Sequence, residues 1–443
     1  MLKEIDVVSI PQNDEAEGLI SRLRSLIASQ SRNLQNLSAL VVFNFLAAGL
    51  FFVTQVKIAN VIGKENFGNL AYAIALGMYG QVLVRYGMDR TLVRDLIHYP
   101  KRLAELVAGS LLLRGGIQLF VIVGLLIWKF TFDVPGTLSS WGLMAVVVAY
   151  SLKSLDLQPV YDAWLKMARH AAYNSIQRAL YFIFIWIIVL WSPNNLSIAW
   201  IGFGLLGTEI FYLLLQQRWA FRRIDFGVIK APLVSVAVEL SKSNFWIWLA
   251  TVGLLSFGTL NQIILKHYCG PSELGGYAAS WQIVAGAALL LTQVSRIGNP
   301  ATARVTRPEK NGCRRKTFLL KYSCVMTAAA LPFVIPSVLF PGWIMKTVFK
   351  LEYDSSAGIL RLLGIYIMIY SLGLVASQYI VSARMERTYF IGVIIGGLLS
   401  IVLCLFLIPK YAGLGAAMAL LISYGSAIGL YWIASLYHVR KRN

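Results

Sequence analysis

TQVKIANVIGKENFGNLAYA, residues 54–73, reads as the end of one apolar run, a short polar turn and the start of the next. NQIILKHYCGPSELGGYAAS, residues 261–280, has the same form. At an offset of 207 positions Gln55 aligns with Gln262, Gly63 with Gly270, Gly68 with Gly275 and Ala71 with Ala278, and Phe67 meets Leu274. The glycines fit a tight turn after which the next helix packs closely. Recurrence at one point in each half predicts a parallel duplication, with two lobes related about the membrane normal.

The rest of the chain supports a membrane setting. Of 443 residues, 58% are apolar or aromatic and 14% charged, against roughly 45–50% and about 25% in a soluble domain. Mean hydropathy is +0.66. A helical crossing needs roughly 20 apolar residues, and such runs fall near 35–59, 70–94, 104–131, 139–161, 172–192, 196–218, 243–267, 275–299, 317–341, 355–380, 388–409 and 413–437. They are continuously apolar, whereas barrel strands alternate over about ten residues. The expectation is an all-α polytopic protein of about twelve transmembrane helices in two six-helix lobes. Its N-lobe would be 35–218, its linker 219–242, its C-lobe 243–438 and its basic tail 439–443.

No secretory signal peptide is apparent at the N-terminus. Residues 1–17 are polar and acidic; GLISRLRSLIASQSRNL, from Gly18 to Leu34, then places Leu19, Ile20, Leu23, Leu26 and Ile27 on one helical face. Segment 1–34 therefore reads as a cytoplasmic extension carrying an interfacial amphipathic helix, or simply as an extension of the first span. Assigning alternate connections to opposite sides puts about 28 of the 40 Lys and Arg residues on one side and seven on the other. The richer side is cytoplasmic by the positive-inside rule, so both termini are inside. The net charge of +20 is thus a topology signal, and no nucleic-acid partner is expected. Four cysteines without a CxxC pair and four histidines without an HxxxH or HExxH pattern leave neither a disulfide framework nor a zinc motif.

Loose motifs recur in order along the chain. Gly63, Phe67, Gly68, Ala71 and Ala73 form the first, and GMDRTLVR (87–94) the second. YDAWLKM (161–167), Asn299-Pro300-Ala301 with Arg304, and AGLGAA (412–417) follow. This set resembles the polysaccharide flippases of the multidrug/oligosaccharidyl-lipid/polysaccharide exporter superfamily. Family members commonly carry aromatic-Gln-Gly where this chain reads Tyr161-Asp162-Ala163. The resemblance implies a V-shaped pair of lobes around a cavity lined chiefly by the first, second, seventh and eighth helices. It implies outward movement of an undecaprenyl-diphosphate-linked oligosaccharide, such as an O-antigen unit, across the bacterial inner membrane by alternating access. Such a protein is no enzyme. It would be a monomer without a resident cofactor, coupled to an H+ or Na+ gradient if coupled at all, with membrane lipids and polysaccharide polymerase or other assembly proteins as partners.

Five basic residues fit no loop: Arg85, Arg90, Arg114, Lys153 and Arg361. A charge at mid-bilayer costs at least about 2.5–3.5 kcal/mol, so each should face a cavity, pair or snorkel. Arg114, about 15 Å into its span at 1.5 Å per residue, is the best cavity candidate, with a salt bridge to Glu209 as the alternative. Arg85 shares a helical face with Asp89 and can be neutralised by it; Arg90 lies one position off that face. Lys153 and Asp156 are spaced for an ion pair, or Asp156 or Glu209 is a coupling site. Arg361 pairs with Asp354 or lines the outer cavity. Lys57 and Lys266 end the first and seventh spans, where they snorkel or attract an anionic head group. Asn44, Gln55, Asn261 and Gln262, like Gln118, Gln293 and Gln378, either line a wet lumen or join helices. A lipid diphosphate would favour arginine, which binds phosphate bidentately.

Two other readings compete. A drug or cation exporter of the same superfamily favours an acidic cavity, yet the intramembrane balance here is basic. A membrane-embedded glycan polymerase, ligase or acyltransferase needs a large outer loop or a buried His/Asp/Ser group. The outer connections are short, and His98, His170, His267 and His438 are all expected at boundaries.

Overall fold

Gly63 and Gly270 turn the chain in the same way. Gly63 has φ 79° and ψ 169°, and Gly270 has φ 83° and ψ 176°, a region other side chains rarely enter. The matched turns read from sequence thus share one backbone conformation. The structure, a computed structural model, describes residues 13–131, 140–191, 196–255, 258–306, 312–383 and 385–441, with side chains from Ala39 onward except at scattered positions.

Among these residues the regular structure is all helical. The chain runs through α1 (Asn13–Arg85), α2 (Met88–His98), α3 (Leu103–Thr131), α4 (Trp141–Leu152), α5 (Gln158–Ala163), α6 (Met167–Trp191) and α7 (Ile198–Phe221). It continues through α8 (Leu233–Leu255), α9 (Thr259–Val305), α10 (Gly312–Leu339), α11 (Pro341–Val348), α12 (Ala357–Ser382) and α13 (Glu386–Lys441). The described residues include nine helical stretches long and apolar enough to cross a membrane. Three of them, Ala39–Arg85, Thr259–Arg296 and Arg387–Arg440, far exceed one crossing and are broken at Gly63, Gly270 and Ala412. The protein is a polytopic all-α membrane protein.

α1 packs along α4, α6 and α9, and α12 packs on α9, α10 and α13. At the Gly63–Gly270 end α1 and α9 meet backbone to backbone. A Cβ on Gly68 would overlap the Pro271 carbonyl oxygen, and one on Gly275 would overlap that of Lys64. The four residues that the repeat relates therefore touch one another. Beside this crossing the Lys64 ammonium donates to Ser355 (2.9 Å), Asn60 donates to the Val348 carbonyl (3.0 Å) and the Tyr353 hydroxyl donates to that of Ala59 (3.1 Å). At the opposite end α8 lies on α2 and α3. There Thr91 bonds Asn244, Arg102 pairs with Glu239 at 2.9 Å, and Tyr86 stacks on Trp248 at 5.2 Å.

Two expected spans are broken, and of a third, 243–267, residues 256 and 257 lie outside those described. The run at 70–94 leaves helix at Tyr86 and Gly87 (φ 50° and 70°), so α1 ends at Arg85 and α2 begins at Met88. The run at 139–161 leaves α-helix after Leu152, makes a 3-10 turn over Lys153–Leu155 and restarts at Gln158. Asp156 is extended there (φ −61°, ψ 153°), and Pro159 lacks the N–H that a continuous helix would use. The expected linker 219–242 is helical from Leu233 onward.

Candidate functional site

The break between α4 and α5 opens onto a cavity of about 510 Å³. Asn44, Gln81, Arg85, Lys153, Asp156 and His170 line it, with Tyr212 and Arg296. An adjoining cavity of about 290 Å³ shares Asn44, Asn174 and Arg296, and adds Arg178 and Gln293. The first lies among α1, the break, α5, α6 and α7, with Arg296 from α9. The second lies among α1, α6 and α9, so both include residues from the second half of the chain.

Asp156 organises one wall. Its carboxylate pairs with Arg85 at 3.2 Å and lies 3.9 Å from His170 Nε2. Arg85 also pairs with Asp89 at 3.2 Å, as expected, but across the break at Tyr86 and Gly87 rather than along one helical face. Arg85 is thus balanced by two carboxylates. His170 shares a 2.7 Å hydrogen bond with the Tyr212 hydroxyl, so a histidine expected at the boundary belongs to the cavity. The expected Lys153–Asp156 pair does not form. An i,i+3 face exists only in helix, and the extended Asp156 turns away while Lys153 donates to Asn174 at 3.3 Å.

Arg114 is not in the cavity wall. It is buried, and its guanidinium donates to the carbonyls of Ser154 (2.9 Å) and Asp156 (3.0 Å), with further bonds to Ser110. Neither the expected lumen nor a bridge to Glu209 accounts for it. The broken helix leaves carbonyls that need donors, and a planar guanidinium reaches two of them at once. Gln216 completes the support by accepting from the Leu157 N–H (3.3 Å). Arg114→Met is expected to destabilise the protein by about 2–4 kcal/mol, because those carbonyls stay buried without donors. Thermal unfolding in detergent measures this, and an unchanged midpoint would refute it.

The other candidates scatter. Lys57 stands over the Trp186 ring at 4.9 Å and Lys266 over that of Tyr72 at 4.1 Å, so each expected head-group cation is held on an aromatic face. Arg361 is exposed and donates to the Val338 carbonyl (3.2 Å), while its expected partner Asp354 pairs with Lys346. Asn261 is fully buried and joins helices through Ala416, Ser400 and Cys404. Gln55 is buried, Gln262 half-buried, and neither is among the cavity-lining residues. Glu209 is buried, with Oε1 lacking a hydrogen-bond partner among the described residues. The side chain of Arg90 lies outside the described residues. Of the polar candidates Asn44 does line the cavity.

Arg178 and Arg296 are the cations that loop assignment misses. Sorting by connections places both on the cytoplasmic side, but Arg178 is eleven residues into α6, roughly 16 Å along its axis. Counted from the expected span start at 172 it lies only six residues in, roughly 9 Å, so the depth arithmetic that singles out Arg114 passes it over. Arg178 lies 4.3 Å from the Phe51 ring. Among the described residues neither arginine has a carboxylate at ion-pair distance, and no group of three His, Cys, Asp or Glu residues is arranged to hold a metal.

Residues 33–297, more than half of the chain, match the family described as polysaccharide biosynthesis protein. The chain belongs to that family. The probable flippase AglR of Haloferax volcanii is 29% identical over 202 residues, which are 44% of this chain and 41% of that relative. The match thus spans about two-fifths of AglR. The fold is that of the lipid II flippase MurJ in an inward closed conformation, at TM-score 0.72 and 13% identity over 89% of this chain and 87% of MurJ. An inward-facing MATE-family multidrug resistance transporter of the MOP superfamily matches at TM-score 0.64 and 13% identity, over 92% and 98%. This member of the polysaccharide biosynthesis family therefore carries its polar cavity on a fold shared with those two transporters.

Proposed function

We propose that the protein flips an undecaprenyl-diphosphate-linked oligosaccharide, an O-antigen unit or similar repeat, from the cytoplasmic to the outer leaflet by alternating access. The observation that carries this reading is the pair Arg178 and Arg296, one from each half of the chain, meeting in one cavity without carboxylate partners. Cations contributed by both halves suit an anion that is gripped in one arrangement and released when the halves part. Asn44, Asn174 and Gln293 supply hydrogen-bonding groups for the sugar. A cation exporter would instead favour an acidic cavity; here Arg85, Lys153, Arg178 and Arg296 line the two cavities against the carboxylates Asp156, engaged by Arg85, and Asp162.

In this reading each arm of a broken helix is one crossing, and α8 counts together with the arm of α9 before Gly270 as a single crossing. Twelve crossings in two six-helix lobes result, with both termini in the cytoplasm and the Gly63–Gly270 end outside. Asp156, shared by Arg85 and His170, is the carboxylate where proton exchange would alter the charge offered to the cargo.

A deletion strain tests the proposal. Loss of the protein is expected to strand lipid-linked glycan on the inner leaflet, and the intact gene to clear it. Normal surface glycan in the deletion strain, with no stranded intermediate, would overturn the proposal.

A further inference from the structure

Outside the cavity, at the basic end of the molecule, cations gather around one indole. Arg169 and Arg223 hold their guanidinium carbons 4.5 and 3.9 Å from the Trp219 ring centroid, placing two positive charges within roughly 8 Å of each other. Lys166 stands at the turn between α5 and α6, and Arg222 at the end of α7. All four are exposed, and among the described residues none has a carboxylate at ion-pair distance. Like charges held together without a counter-ion make a site for an anion.

The indole that carries them is fixed. Tyr161 stacks on Trp219 at 4.9 Å and 22°, Trp164 meets it edge-on at 5.9 Å, and Arg223 donates to its carbonyl (3.1 Å). Beside it Leu165 has φ 55°, an unfavourable backbone for leucine. The Lys166 N–H, donating to the Tyr161 carbonyl at 2.8 Å, holds that turn. The result is an apolar side chain, 67% exposed, projected next to the cations where the apolar α6 and α7 end. Cations beside exposed apolar surface at the end of membrane helices match a lipid head group with its first acyl carbons, more closely than they match a soluble anion.

We propose that Lys166, Arg169 and Arg223, set on Trp219, bind the head group of an anionic phospholipid, with Leu165 and Trp164 against its acyl chains. Tyr161 separates this site from the cargo cavity, one face of the network on Trp219 and its ring 5.6 Å from that of His170. A bound lipid would bear on the turn that delivers Asp162 and Met167 to the cavity wall.

Native mass spectrometry of the purified full-length chain tests this, using phosphatidylglycerol, phosphatidylcholine with the same acyl chains, inorganic phosphate and a prenyl diphosphate. Phosphatidylglycerol is expected to bind in preference to phosphatidylcholine, without displacement by an equal concentration of inorganic phosphate. Each cation removed should weaken it about fivefold, so Arg169→Gln with Arg223→Gln should weaken it by about 25-fold. Should the double variant fail to fold, the single variants Lys166→Gln and Arg169→Gln, both at exposed positions, carry the same expectation. Equal retention of the two phospholipids, unchanged affinity in the variants, or displacement of phosphatidylglycerol by the prenyl diphosphate would overturn the proposal. None of these outcomes depends on whether the protein flips a glycan.

Discussion

Arg178→Gln combined with Arg296→Gln is expected to leave a deletion strain as fully blocked as no protein at all, with lipid-linked glycan stranded on the inner leaflet. These two cations line the cavity without a carboxylate partner. A charge-assisted hydrogen bond is worth about 1.5–3 kcal/mol, so each arginine should contribute about tenfold to hundredfold to cargo affinity. Lysine at both positions should restore part of the activity, because it keeps the charge and loses the bidentate fork. Arg85 should behave differently. Its charge is balanced by Asp89 and Asp156, so Arg85→Gln leaves the cavity carboxylate Asp156 unpaired against an anionic cargo, and adding Asp156→Asn should recover part of the loss. Full rescue by the Arg178/Arg296 double variant would contradict the cationic-cavity reading.

The Gly68–Gly275 crossing gives the second large expectation. A Cβ on Gly68 would meet Pro271 backbone, which cannot swing aside as a side chain can. Overpacking a tight contact costs about 1–3 kcal/mol, and relief here requires α1 and α9 to separate. Gly68→Ala should therefore disfavour closure at this end by about tenfold or more. Disulfide crosslinking of Asn60→Cys to Lys350→Cys, positions joined by an Asn60 Oδ1 bond from the Lys350 N–H at 3.2 Å, measures that closure. Gly49→Ala, where a Cβ would meet nothing within 4 Å, should leave the crosslink unchanged. Equal crosslinking in Gly68→Ala and the parent would show that the crossing does not control closure.

Sequence patterning makes the coarse architecture legible because a bilayer imposes one constraint, long apolar runs, and glycine marks where they turn. Gly63 and Gly270 were readable as matched turns, and both adopt the same left-handed backbone. The Arg85–Asp89 pair forms although Tyr86 and Gly87 break the helix between them, so the spacing led to the right pair without the continuous helix it assumed. Patterning fails where the helix does: the break at Lys153–Leu157 separates Lys153 from Asp156 and creates the carbonyls that capture Arg114. It also fails near span ends. Arg296 lies three residues inside the expected run 275–299 and reads as a boundary cation, yet α9 continues as helix to Val305 and Arg296 lines the cavity. The meeting of Arg178 with Arg296 depends on how the two halves pack, which no local spacing encodes.

The most direct measurement is equilibrium binding of three lipids with the same prenyl chain, ending in diphosphate, monophosphate or hydroxyl, to the purified protein and to its Arg178→Gln, Arg296→Gln double variant. A preference in the order diphosphate, monophosphate, hydroxyl is expected for the parent, and its collapse is expected in the double variant. Equal binding of all three lipids by the parent, or an undiminished preference in the variant, would contradict a cavity built for a lipid diphosphate.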